Sequence, residues 1–160
     1  MATKKAAKKT ARAKKTAPSK AKAAPAKSRS AGRSLALSSA SPSFTVNDLG
    51  KSLAFYRDVL GFAVEQTWDE EGEVTGVSLR AGGVSFMIGQ DDWKKGRNRS
   101  KGEGFRMFCM TDKNVDSIAK AIEQRGGKLD SGPRDQPWGV RDISVTDPDG
   151  FKITIAAPRR

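Results

Sequence analysis

The chain has 160 residues, with 30 Lys and Arg against 18 Asp and Glu, one Cys and no His. That length builds one core or two small half-cores. The lack of His removes the commonest general base and the commonest transition-metal ligand. Cys109 alone excludes an internal disulfide and fits a reducing compartment. No apolar run is long enough to span a bilayer, and the N-terminus lacks the apolar centre of a secretory signal.

The net charge of +12 is unevenly placed. Residues 1–40 hold twelve of the basic residues and none of the acidic ones, so residues 41–160 carry eighteen of each sign. The first segment is Lys, Ala, Ser, Thr and Pro without an aromatic residue, a composition that cannot offset chain entropy by burial, and disorder is expected. It resembles the tails of linker histones and of some bacterial nucleoid proteins. Lys4, Lys5, Lys8, Lys9, Arg12, Lys14, Lys15, Lys20 and Lys22 are the expected contacts to nucleic acid or another polyanion, through phosphates and without base reading. A solubilising extension and a transit peptide are the alternatives, though transit peptides favour Arg over Lys. The expected location is cytoplasmic or nucleoid-associated, with no membrane partner.

From residue 41 the elements read in order. Ser41–Val46 alternates as a strand. Asp48 suits an N-cap, Leu49, Leu53, Tyr56 and Leu60 form one helical stripe, and Gly61 stops it. Phe62–Trp68 is a second strand, Val77 and Leu79 mark a third, and Val84, Phe86 and Ile88 a fourth. Gln90–Gly104 is a polar, charged loop containing Trp93. The order then restarts: an apolar strand over Phe105–Met110, and a helix capped by Asn114 or Asp112 with Val115, Ile118, Ala119 and Ile122 on one face. A short strand then starts at Lys128–Asp130. Two strands with Ile143 and Val145, and Phe151, Ile153 and Ile155, then meet at the turn Asp147-Pro148-Asp149-Gly150. Strand, helix and three strands thus occur twice, an internal repeat of element order.

Phe44–Leu49, Ser52–Phe62, Trp138–Arg141 and Asp147–Gly150, taken in this order and spacing, resemble the glyoxalase, bleomycin-resistance and ring-cleaving dioxygenase superfamily, the vicinal oxygen chelate fold. The resemblance covers about residues 41–158. It implies an α+β domain of two βαβββ modules, about 41–104 and 105–158. Their strands curl into a cup with the helices outside and a ligand within, and many members are homodimers, some with exchanged modules. In metal-using members four cup positions supply His and Glu; carried over by register, they are Ser41, Met87 (or Ser85), Met107 and Thr154 here. Those side chains do not suit a divalent cation, so neither a metal nor any other cofactor is expected.

The large aliphatics should pack beneath the helices, leaving the alternate residues to face the cup. That face would carry Ser41, Ser43, Thr45, Ser78, Arg80, Ser85, Met87, Met107, Cys109, Asp142, Ser144, Thr146, Lys152 and Thr154. Trp68, Trp93 and Trp138 stand near its mouth, to clamp a flat ligand or fill a dimer seam. The reading is a metal-free protein that binds a small molecule in its cup and catalyses nothing. One rival is a cofactor-free lyase, isomerase or hydrolase using Asp142 or Arg80; Asp142 paired with Arg80 or Arg141 is the structural alternative. A second rival is a dimeric platform whose tail acts on nucleic acid.

Overall fold

The computed structural model describes residues 38–159, so the basic positions Lys4 to Lys22 lie outside the described residues. The chain runs β1 (Ser43–Val46), α1 (Leu49–Ala54) continued by a π-helical turn (Phe55–Val59), β2 (Ala63–Glu70), β3 (Glu73–Ala81) and β4 (Val84–Gln90). It repeats as β5 (Arg106–Met110), α2 (Val115–Gln124), β6 (Ser131–Asp135), β7 (Val140–Thr146) and β8 (Lys152–Pro158). Two four-stranded sheets result, in the orders β1-β4-β3-β2 and β5-β8-β7-β6. In each, the first strand lies parallel to the last and the other pairs are antiparallel. These are two βαβββ modules, as the repeated element order predicts.

Local chemistry places the helices. The Asp48 carboxylate accepts from Lys51 N at 3.0 Å, and Asn114, rather than Asp112, caps α2 by accepting from Ser117 N at 2.9 Å. The π-helical turn alters the expected stripe on the first helix. Leu60 N donates to Phe55 O and Phe62 N to Tyr56 O, and the buried ridge becomes Leu49, Ser52 and Tyr56. Leu53 and Leu60 move to the edge of the core.

Two expectations fail. The strand expected to start at Lys128–Asp130 begins later, at Ser131, and runs to Asp135. Gly132 and Pro133 read as breakers, but β6 is an edge strand with a register shift between Ser131 and Arg134, where a missing N–H is tolerated. The faces of β5 are also reversed. Met107 and Cys109 are buried in the core, while Phe108 and Met110 are each 51 % exposed. Every position from Met107 to Met110 is apolar, so there is no alternation to read, and the register with β8 decides. Met107 pairs with Ile153 and Cys109 with Ile155, which fixes both on the helix side.

The Asp147–Gly150 turn is a seam between modules. Asp147 is buried; it accepts from Phe151 N (2.8 Å), Asp149 N (2.9 Å) and the Tyr56 hydroxyl (2.9 Å) of the first module. Burial raises the Asp147 carboxyl above its ordinary range, and burial together with Asp147 pushes the Tyr56 phenol far up. Asp149 accepts from the Asn47 backbone N–H at 2.9 Å and from its side-chain amide. Gly150 stands at φ +90°, and a Cβ on Gly102 would sit 1.9 Å from its carbonyl carbon. Phe44 packs against Phe151 and Phe105, ring centroids 4.2 and 5.5 Å away.

Candidate ligand-binding face

Each sheet buries one face under the helices and leaves the other open. On the first sheet the register aligns Ser43 with Met87 and Ser78, and Ser85 with Arg80. The Ser41 and Ser85 hydroxyls lie 2.9 Å apart. Arg80 donates to Glu65 at 2.6 Å, and Ser78 to the same carboxylate at 3.5 Å. Glu65 shares this face with Ala63, the register partner of Arg80, and the register shift that follows brings Gln66 beside Ser78. Trp68 lies over Gly76: a Cβ there would come within 3.3 Å of the indole.

The linker after β4 is pinned at Asp91, which is 4 % exposed. Its carboxylate accepts from Trp93 N (2.7 Å), from Thr45 Oγ1 (3.2 Å) and from the side chains of Arg99 and Lys101. Lys101 above all holds it far below the usual carboxylate range. Trp93 has φ +60°, and the Arg97 guanidinium stacks 4.4 Å from its ring centre. Trp93 is therefore held by its own loop, whereas Trp138, in the β6–β7 turn, is 67 % exposed.

On the second sheet the register sets Ser144 beside Thr154, Asp142 beside Ala156, and Phe108 beside Thr154. Met107 and Cys109, expected here, are in the core, and burial raises the Cys109 thiol. Their places are taken by Arg106, Phe108 and Met110. Arg106 Nη1 donates to the Thr154 hydroxyl at 2.7 Å. Asp142 pairs with neither Arg80 nor Arg141; it accepts from Gln136 Nε2 at 2.8 Å and lies 3.7 Å from Arg134 Nε. Arg141 instead bridges Asp116 (2.8 Å) and Asp135 (2.9 Å). Ser144 reaches Ser131 at 3.2 Å.

The structure thus gathers the expected residues into two sets. Ser43, Arg80, Ser85 and Met87 lie on one sheet, with Ser41 just before β1 and bonded to Ser85; Asp142, Ser144 and Thr154 lie on the other. Arg106, Phe108 and Met110 were missed because the parity of β5 decides them; Glu65 was missed too, although alternation from Ala63 puts it on this face. One cavity, of about 440 Å³, opens where β5 and β8 begin and is lined by Arg106, Lys152, Phe105, Gly150 and the linker from Ser100 to Gly104. A second, of about 500 Å³, lies at the start of α2 around the Asp116–Arg141–Asp135 ion pairs.

A divalent metal does not fit the four carried-over positions. Ser41 and Ser85 bond each other, Met87 offers a thioether, Met107 is in the core, and Thr154 accepts from a guanidinium that would repel a cation. Among the described residues no group of three His, Cys, Asp or Glu gathers to hold an ion.

Comparison with known proteins agrees with this architecture. The family model of the glyoxalase/bleomycin resistance protein/dioxygenase superfamily matches residues 38–155. A probable lactoylglutathione lyase of Synechocystis sp. is 31 % identical over 115 residues, covering 69 % of this chain and 87 % of that protein. TnmS3, an antibiotic binding protein from Streptomyces sp., superposes with a TM-score of 0.58 at 26 % identity, over 78 % of this chain and 99 % of that one. A glyoxalase/bleomycin resistance protein/dioxygenase from Nocardioides gives a TM-score of 0.62 at 17 % identity, over 80 % and 88 % of the two chains. The chain belongs to the glyoxalase/bleomycin resistance protein/dioxygenase superfamily.

Proposed function

We propose that this protein binds a small molecule on the open faces of its two sheets, without a metal and without catalysis. The observation that carries the reading is the surface around Thr154. Phe108 and Met110 are half-exposed there, beside a hydroxyl and a guanidinium already in place. Apolar surface with a few fixed polar groups is what a ligand site offers. The likeness to an antibiotic binding protein supports it.

The groups a metal-free reaction would need are otherwise engaged. Asp142 is held by Gln136 and Arg134, Arg80 by Glu65, and Cys109 is buried. This favours binding over a cofactor-free lyase, isomerase or hydrolase acting through Asp142 or Arg80. A thermal-shift screen of small molecules, with and without divalent metals, tests the reading, because a ligand stabilises the native state by mass action. Hits that vanish in Phe108→Ser support it. Hits that appear only with metal, or turnover of a hit, refute it.

The half-exposed Phe108 and Met110 also favour a homodimer in which a second copy completes the face. Sedimentation of Met110→Lys as a monomer beside a dimeric parent would establish it. For residues 1–40 we infer contact with nucleic acid, in the cytoplasm or on the nucleoid, on charge alone. No helix among the described residues is long and apolar enough to cross a membrane. With about six phosphates contacted, log affinity should fall against log salt with a slope of roughly −5. Replacing Lys4, Lys5, Lys8, Lys9, Arg12, Lys14, Lys15, Lys20 and Lys22 by Gln should flatten that slope. An unchanged slope would place the contact elsewhere.

A further inference from the structure

We propose that the cavity where β5 and β8 begin binds the anionic group of a small ligand, a carboxylate or a phosphoryl group, between Arg106 and Lys152. The proposal rests on the reading that the open face holds a small molecule, and it names that molecule's charge. Arg106 and Lys152 are direct register partners on parallel strands. Their side chains therefore leave the sheet on the same side, about 4.8 Å apart at the backbone. Two cations this close repel unless something negative lies between them. Among the described residues, neither has a carboxylate within ion-pairing distance, although ten other ion pairs form. Glu103 lines the same cavity, is exposed, and pairs with neither.

The guanidinium is already positioned. Arg106 Nη1 donates to Thr154 Oγ1 at 2.7 Å, and Thr154 is only 5 % exposed, so its hydroxyl is a fixed anchor. One N–H is used, and the rest of the planar fork is left to meet two oxygens of an anion. Lys152 adds a point charge from the next strand. The linker lines the same cavity, and at Gly104 nothing lies within 4 Å of where a side chain would begin, which leaves room for a ligand. A volume of about 440 Å³ suits a small organic anion. Phe108, two residues along β5 from Arg106 and half-exposed, offers apolar contact for the rest of such a molecule.

The test is residue-resolved NMR of the full chain, titrated separately with phenylphosphonate, benzoate and benzyl alcohol. Reading individual amides separates this cavity from the cations of residues 1–40. The two anions should shift the amides of Gly102, Gly104, Gly150 and Lys152 and saturate; benzyl alcohol should need at least about tenfold more. Arg106→Gln and Lys152→Gln should each weaken both anions about tenfold or more. A preference for phenylphosphonate assigns a phosphoryl ligand, and a preference for benzoate a carboxylate. Both variants keep a polar side chain at an exposed site, so either can stand alone if the other folds poorly. Anion shifts of equal size in the parent and both variants would overturn the inference. So would binding of benzyl alcohol across Phe108 and Met110 with the anions no tighter, an outcome that leaves small-molecule binding standing. Silence of the whole open face to all three compounds would overturn both readings.

Discussion

The two modules share an order of elements and differ in how they treat charge. On the first, the cations nearest the open face have carboxylate partners: Arg80 pairs with Glu65, and Arg99 and Lys101 with Asp91. On the second, Arg106 and Lys152 stand side by side without a carboxylate, next to half-exposed Phe108 and Met110. A repeat of backbone does not repeat a site. The first face holds its cations in ion pairs, whereas the second leaves two neighbouring cations without one, which is the basis of the anion site proposed above.

The modules depend on each other through the Asp147–Gly150 turn, and the sharpest way to break the pair is there. Gly102→Ala would put a methyl 1.9 Å from the Gly150 carbonyl carbon, where only backbone could yield. A loss of about 3 kcal/mol is expected by denaturant unfolding, with separation of the linker from the second module. Gly150→Val, at φ +90°, should cost more than about 1 kcal/mol. A parent-like midpoint for either would show that this seam does not hold the modules.

Tyr56→Phe is next in size. It removes the one side-chain donor from the first module to the buried Asp147 and leaves two backbone donors. A loss of about 1–3 kcal/mol is expected; a variant as stable as the parent would mean the carboxyl is already satisfied within its own turn.

Two of the three buried aspartates, Asp91 and Asp147, sharpen the contrast through pH. Asp91 is held low in the folded state, so its contribution is present above the ordinary carboxylate range and is lost as pH falls toward the folded value. Asp147 is raised, so its contribution is full below the ordinary range and is lost as pH rises through the folded value. In melts from acid to neutral pH, the gap between parent and Asp91→Asn should close below about pH 4, and the gap to Asp147→Asn should close above it. Parallel gaps would remove the distinction. The smallest effect is expected for Glu65→Gln, which breaks an ion pair exposed by nearly half on both sides. Its melting temperature should match the parent's, since such pairs are screened by water and salt; a clear loss would make the first face a structural element in its own right.

Element order, helix caps and the turn were legible in the sequence because each is a local signal. Asp48 and Asn114 cap through bonds three residues away, and Gly61, Gly126 and Gly150 take positive φ where the chain must reverse. The core faces of β3, β4, β7 and β8 followed from alternation, because Val77, Leu79, Phe86, Ile88, Ile143, Val145 and Ile153 are buried where period two puts them. The candidate site was legible only in part. Ser41 and Ser85 meet, and Thr154 stands on the open face, but Met107 and Cys109 gave way to Arg106 and Phe108. In a strand apolar at every position only the partner's register chooses the face, and that register is a tertiary fact. The same holds for Asp142, whose partners Gln136 and Arg134 come from the edge of the sheet. Charge could be counted from the sequence; which charges are cancelled depends on distances across strands far apart in the chain, and folding alone sets those.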